Sequence, residues 1–218
     1  MTPPRHRRHL VVFARNPIPG RVKTRLIPAM GLGPATAVYR RMLGDTLVTC
    51  SQVFAHSREL WIDQPDPHPV VAEMANRLGM SVHAQSGDDL GSRMHAAFAE
   101  TLRNADSAVL IGSDCPEYDP PYLDAALQAL EQHDAVLGPA ADGGYVLIGL
   151  RKVDPHLFHR VPWGTNRVLA ATRLRLRYLQ WSFMELPIKY DVDNPEDLLR
   201  FPHLASTAEI ECATGSGE

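Results

Sequence analysis

The sequence predicts an α/β fold: a three-layer sandwich whose mostly parallel central sheet carries helices on both faces. Three observations predict it. Short apolar runs without polar alternation, such as Leu10-Val-Val-Phe-Ala14 and Ala108-Val-Leu-Ile-Gly112, are expected of strands buried on both faces. Segments with apolar residues at helical spacing lie between such runs, and strict alternation of the two implies crossover connections and parallel pairing. The 218 residues are 44% hydrophobic and 22% charged, as in globular chains, and no linker divides them. We expect one domain over residues 1–204 and a frayed tail over residues 205–218, where Ser, Thr, Gly and Glu accumulate.

After the first strand, Ala35, Val38, Tyr39, Met42, Thr46, Thr49, Cys50 and Val53 recur at helical spacing, and Glu59 to Asp63 reads as a second strand. A helix with Val70, Val71, Met74, Ala75 and Leu78 on its apolar face leads to a strand near Ser81 to Gln85. Met94, Ala97, Phe98, Thr101 and Leu102 mark a third helix before the strand at Ala108. Asp119 is a natural N-cap, with Pro120 at the first helical position and Leu123, Ala126, Leu127 and Leu130 facing inward. Ala135 to Gly138 and Tyr145 to Leu150 are further apolar runs. Ala170 to Tyr178 fits either a strand or a helix, and the spacing of Val168, Thr172, Leu176 and Leu179 favours the helix. Asn194-Pro-Glu-Asp197 has the form of a cap followed by acidic residues that complement a helix dipole.

The net charge of -3 excludes a general basic field, so nonspecific nucleic-acid binding is not expected. Cys50, Cys115 and Cys212 form no CxxC pair, which argues against a disulfide framework or a thiolate zinc site and fits a cytoplasmic chain. The apolar run after the basic N-terminus is too short for an export signal, and nothing approaches the roughly 20 apolar residues of a membrane span.

Five stretches carry candidate chemistry. Behind the first strand, Arg15, Arg21, Lys23 and Arg25 gather around Gly20, where a backbone free of a Cβ lets phosphate approach. Arginine forks and a compact lysine charge suit a di- or triphosphate. The alternative is a solvated basic loop. Neither a Walker loop nor a GxGxxG fingerprint is present. At the end of the Ala108 strand, Asp114 offers a hard oxygen for Mg²⁺, or else bonds its own turn before Pro116. Asp191 and Asp193, two residues apart, would face one side of an extended segment, so one of them can join Asp114 at a metal. The other would belong to a cap beside Asn194. Ser86 to Met94, with Gly87, Asp89, Gly91 and Arg93, is a glycine-rich helix start suited to a nucleotide or, more plainly, a capped surface helix. Asp142, Gly143, Gly144 and Tyr145, with Trp163 and Thr165, are assigned to an acceptor pocket. The ten histidines show no HxxxH or HExxH spacing.

Pro17 to Leu26, Gly112 to Pro116, Asp142 to Tyr145 and Asp191 to Leu198 together resemble the nucleotide-diphospho-sugar transferase superfamily of GT-A type. The nearest resemblance is to a bacterial branch called selenodomain-associated transferase 1, from Leu10 to about Phe201. More distantly the chain is similar to the guanylyltransferases of molybdenum cofactor and 2-phospholactate. The resemblance implies that Lys23 and Arg25 contact phosphate, that Gly87 to Arg93 border the base, and that Asp114 with Asp191 or Asp193 holds Mg²⁺ or Mn²⁺. Asp114-Cys-Pro replaces the Asp-x-Asp of many sugar transferases, and the basic loop lacks the glycine-rich opening of sugar nucleotidyltransferases.

The expected activity is metal-dependent nucleotidyl transfer from an NTP to a small phosphorylated acceptor, with Lys23, Arg25 and Asp114 as catalytic residues. Glycosyl transfer from an NDP-sugar is the alternative reaction, and a non-catalytic nucleotide sensor is the alternative class. The expected partners are a nucleotide and a small-molecule acceptor, without nucleic acid or membrane; a homodimer is left open.

Overall fold

The computed structural model describes residues 7–204, so the expected frayed tail lies outside the described residues. Seven strands form one sheet: β1 (Arg8–Ala14), β2 (Ser57–Ile62), β3 (Ser81–Ala84), β4 (Ser107–Gly112), β5 (Ala135–Pro139), β6 (Tyr145–Leu150) and β7 (Phe183–Glu185). Their order is β3-β2-β1-β4-β6-β5-β7. The helices are α1 (Ile27–Met30), α2 (Leu32–Gln52), α3 (Pro69–Arg77), α4 (Leu90–Thr101), α5 (Pro120–Ala129), α6 (Val168–Tyr178) and α7 (Pro195–Leu198). The helical reading of Ala170 to Tyr178 agrees with α6. Asp119 caps α5 by accepting from Tyr122 N at 2.8 Å.

The side-chain period of two sorts each strand between two cores. Leu10, Val12, Leu60, Ile62, Val109 and Ile111 pack under α2, α3 and α5, against Leu43, Leu47, Val71 and Leu123. Val11, Phe13, Trp61 and Leu110 face the other way, against Met94 and Phe98 of α4 and Leu169 and Leu176 of α6. This burial on both faces is why β1 and β4 read as apolar runs, whereas β3, at the sheet edge, is largely exposed.

Parallel pairing holds from β3 to β4, in the register Ala14↔Ile62↔Ala84 and Phe13↔Gly112. β6 runs antiparallel to both β4 and β5, a reversal that the alternation of runs and helices does not announce. A third cluster, of Leu26, Val38, Met42, Val192, Phe201 and Leu204, fastens the C-terminal segment to α2. Among the described residues no helix is long and apolar enough to cross a membrane.

Candidate active site

A cleft of about 660 Å³ opens at the carboxyl ends of the parallel strands. The register of β1, β2 and β3 delivers Arg15, Asp63 and Gln85, the first residues beyond these strands, to its wall. β4 delivers Ser113, Asp114 and Cys115, and the C-terminal segment brings Asp191 and Asp193. In parallel sheets this rim is where ligands gather, because the loops there have no strand to return to.

The loop after β1 is pinned at its root. Tyr39 from α2 places its hydroxyl 2.7 Å from Arg15 N, which donates to it, 3.1 Å from Arg15 O and 3.2 Å from Ser113 Oγ. Burial, and secondarily the charge of Asp114, pushes the phenol's pKa up, so it stays neutral. The buried Asn16 donates its backbone N–H to Asp63 Oδ1 at 2.9 Å and accepts from His68 N at 2.8 Å.

Further along the loop, Lys23 adopts φ +46°, and its side chain, only 4% exposed, turns under the loop. Its ammonium meets Asp114 Oδ1 at 2.6 Å, Val192 O at 2.5 Å and Asp193 Oδ1 at 3.4 Å. Three donors meet three oxygens, which saturates the lysine. Residues 90 and more positions apart are thereby joined at one end of the cleft. Asp114 and Asp193 remain 48% and 44% exposed, so the outer sides of both carboxylates face the cleft. Arg25, 67% exposed, reaches Asp193 Oδ2 at 3.3 Å and keeps most of its fork free. Arg15 and Arg21 also line the cleft; Gly20 does not.

Val192 is fully buried while Asp191 and Asp193 both line the cleft, as the extended spacing requires. Burial pushes the Asp191 carboxyl up to about 6, and Asp142 and Asp193 add to the rise. Asp193 faces both the cleft and the cap. Its carboxylate faces Lys23, while its N–H joins that of Asn194 on Asp197 Oδ2, at 2.9 and 2.8 Å.

The oxygens of Asp114, Asp191, Asp193 and Val192 have the hard character that Mg²⁺ or Mn²⁺ requires. Among the described residues, however, no three carboxylates, histidines or cysteines converge on one point. The Lys23 ammonium stands between Asp114 and Asp193 instead. The donor set has the chemistry for a divalent cation, but in this arrangement Asp114, Asp193 and the Val192 carbonyl are held by the lysine.

At the other flank, Asp89 caps α4 in a capping box, accepting from Ser92 N at 2.7 Å, so one of its oxygens is committed to structure. The hydrogen bonds from Ser92 hold its carboxyl below the usual carboxylate range. Asp88, Asp89, Leu90 and Arg93 line the cleft, whereas Gly87 and Gly91 do not. A Cβ on Gly91 would lie 2.8 Å from the Trp163 ring, so this glycine serves packing. Trp163 therefore faces α4. Thr165 donates to Pro162 O at 2.8 Å within its own turn. Gly143 takes φ +91° hard against the Asn166 backbone, and Gly144 donates to Asp142 Oδ1 at 2.8 Å.

Of the residues assigned to an acceptor pocket, Tyr145 lines the main cleft. Asp142 lines an adjoining cavity of about 310 Å³ with Arg25, Tyr190, Asp191 and Arg200. Gly143, Gly144, Trp163 and Thr165 line neither. Sequence reasoning assigned no role to Asp63, Gln85 or Tyr39. The expected strands Glu59 to Asp63 and Ser81 to Gln85 include the first two, whereas β2 and β3 end one residue earlier and leave Asp63 and Gln85 at the rim.

The strand order and the cleft define an α/β transferase of the nucleotide-diphospho-sugar transferase superfamily. Within it, the chain belongs to the family described as uncharacterized protein conserved in bacteria (DUF2064), whose sequence profile matches residues 46–165. A protein of Desulfovibrio desulfuricans G20, provisionally described as a nucleotide-diphospho-sugar transferase, is 30% identical. It superposes with a TM-score of 0.84 over 95% of this chain and 96% of its own.

Two more distant structures share the fold. CMP:2-keto-3-deoxy-manno-octonic acid synthetase complexed with CTP is 14% identical, with a TM-score of 0.55 over 92% of this chain and 98% of its own. Glucosyl-3-phosphoglycerate synthase of Mycobacterium tuberculosis, with Mn²⁺, UDP and glucosyl-3-phosphoglycerate, is 11% identical, with a TM-score of 0.57 over 92% and 76%. No curated protein matches the chain.

Proposed function

We propose that the protein transfers a nucleotidyl group: an oxygen of a small phosphorylated acceptor attacks the α-phosphate of an NTP, and pyrophosphate leaves. One observation carries this reading. Lys23 joins the basic loop to Asp114 and Asp193, which puts free guanidiniums and half-exposed carboxylates at one end of a strand-end cleft. Anion-binding and cation-binding groups side by side are what a metal-complexed polyphosphate needs.

Arg15, Arg21 and Arg25 would hold the phosphate oxygens and counter the charge that gathers on them as pyrophosphate separates. Asp114 and Asp193, with Asp191, would hold Mg²⁺ or Mn²⁺, which when bound supplies Lewis-acid stabilisation of the phosphoryl oxygens. Lys23 keeps the loop and the carboxylates in register, so the reactants meet already aligned. The neighbours that hold CTP, or UDP with Mn²⁺, support a nucleotide in this cleft.

Asp142 favours a second reading. It shares the adjoining cavity with Asp191, where a base could act on the acceptor of a glycosyl transfer from an NDP-sugar. Incubation with each NTP, Mg²⁺ and a set of phosphorylated metabolites should release pyrophosphate. Release of free NDP from sugar nucleotides, without pyrophosphate from any NTP, contradicts the first reading and supports the second.

A further inference from the structure

Asp114 and Asp193 reach the cleft from distant parts of the chain, and like charges brought side by side repel one another. Two cations answer them. Lys23 Nζ lies 2.6 Å from Asp114 Oδ1 and 3.4 Å from Asp193 Oδ1, and Arg25 reaches Asp193 Oδ2 at 3.3 Å. The charge of the carboxylate pair is thereby balanced within the protein.

The two cations are held differently. Arg25 is exposed and makes a single contact, so its loss leaves the other oxygens as they are. The Lys23 side chain is buried and aims all three ammonium donors at oxygens, the third of them Val192 O at 2.5 Å. Two carboxylates and a carbonyl around one positive charge are the kind of hard-oxygen shell that a divalent cation takes. The ammonium and such a cation therefore call on the same oxygens.

The backbone carries the mark of this hold. Lys23 lies at φ +46°, in the left-handed region that residues with a side chain rarely adopt. Such a conformation persists only where its surroundings fix it, and here the three ammonium contacts do so together with the Leu26 N–H, which donates to Lys23 O at 2.9 Å. Release of the ammonium relieves that strain and at the same time bares two carboxylates, so the loop has a second arrangement within reach.

We propose that Lys23 is a built-in competitor for the divalent cation. In the free protein its ammonium occupies the oxygens of Asp114, Asp193 and Val192 and keeps the carboxylates together, and the cation binds only by displacing it. This rests on the metal reading of the cleft and holds for either reaction above. Lys23 is then a positioning residue, which acts through the carboxylates that it holds.

The test is a Mn²⁺ titration of the nucleotide-free full chain, followed by the electron paramagnetic resonance of free Mn²⁺, for the wild type, Lys23→Met and Arg25→Ala. Methionine keeps the length of the lysine stem and removes its charge. Lys23→Met should bind Mn²⁺ at least about tenfold more tightly than the wild type, a gain that a merely structural lysine would not give. Arg25→Ala removes a charge of the same sign without baring the shared oxygens, and should change the affinity by less than about threefold.

A second readout needs no variant, because the chain has only three lysines. Acylation of the wild type by an amine reagent, followed by mass spectrometry, should find Lys23 protected without Mn²⁺ and at least about tenfold faster to react at saturating Mn²⁺. The exposed Lys152 should react at a constant rate. Equal Mn²⁺ affinity in the wild type and Lys23→Met, an equal gain in Arg25→Ala, or Mn²⁺ saturation that leaves Lys23 protected each overturns the competition and leaves the metal reading standing. Absence of Mn²⁺ binding by all three proteins overturns both the competition and the metal reading.

Discussion

Two polar clusters share β1, one reaching to β2 and α4 and the other gathered beyond the ends of β1 and β4, and they are built on opposite plans. Near the amino ends of β1 and β2, Glu59 accepts from His9 Nδ1 at 2.8 Å, Thr101 Oγ1 at 2.9 Å and Trp61 Nε1 at 3.0 Å. The carboxylate is buried and closed, with every contact inside the protein. Burial alone would push its pKa up, but the three hydrogen bonds outweigh that and hold it below the usual carboxylate range. At the carboxyl ends, Asp114 and Asp193 meet Lys23 on one side and the cleft on the other, and Asp191 is pushed up by burial and by its acidic neighbours. The first cluster spends its bonding capacity on the fold. The second keeps capacity in reserve, as a binding site must.

The largest expected effect falls on the closed cluster. Glu59→Ala strands His9, Trp61 and Thr101 and should cost about 3 kcal/mol in urea denaturation, while activity per folded molecule stays at the wild-type level. The pH dependence has a definite sign. Glu59's folded pKa lies below its unfolded one, so its contribution is present above the usual carboxylate range and is lost as pH falls through the folded value.

Asp114→Asn should weigh on activity instead, lowering kcat/KM about a hundredfold, or about 2.7 kcal/mol of transition-state stabilisation, while the denaturation midpoint falls by less than in Glu59→Ala, since Asp193 and Val192 O still hold Lys23. Equal losses of activity in both variants would erase the distinction between the clusters. Arg25→Ala removes an exposed fork and one contact at 3.3 Å. A KM increase of about tenfold for the nucleotide, with kcat within about threefold, is expected from steady-state kinetics.

The smallest effect sharpens the comparison through stability. The raised Asp191 pKa means that its charge opposes folding: the cost is absent below the unfolded value, grows as pH rises, and is complete above about 6. Asp191→Asn should therefore stabilise the protein by about 1 kcal/mol at pH 8, after allowance for solvent screening, and by less at pH 5. A destabilised variant at pH 8 would place Asp191 with the closed cluster instead.

Much of the fold was legible because burial on both sheet faces writes itself as apolar runs, and because Asp119 and Asn194 carry cap chemistry. The four-residue α1 and the three-residue β7 are too short for periodicity to show. Ala140 to Gly144 are too few for a crossover and allow only a hairpin; what stayed hidden was that β6 inserts between β5 and β4. The site was legible in part where charge lies just beyond a strand, as at Arg15 and Asp114, but Asp63, directly after β2, went unread.

What no spacing could reveal was the pairing of Lys23 with Asp193, about three-quarters of the chain away, which satisfies the very lysine that charge alone had aimed at phosphate. Trp163 misled for a related reason. An aromatic ring beside glycines suits a ligand wall and a packing contact equally, and Gly91 shows that packing prevailed.

The most direct test of the working-site claim follows the label of an α-³²P NTP in a single turnover with Mg²⁺ and phosphorylated acceptors. Label should move from the NTP to the acceptor in the wild type and stay on the NTP in Asp114→Asn, with both proteins folded at the assay temperature. Transfer that proceeds equally in the two proteins, or no transfer in the wild type while sugar nucleotides yield NDP, would contradict the account.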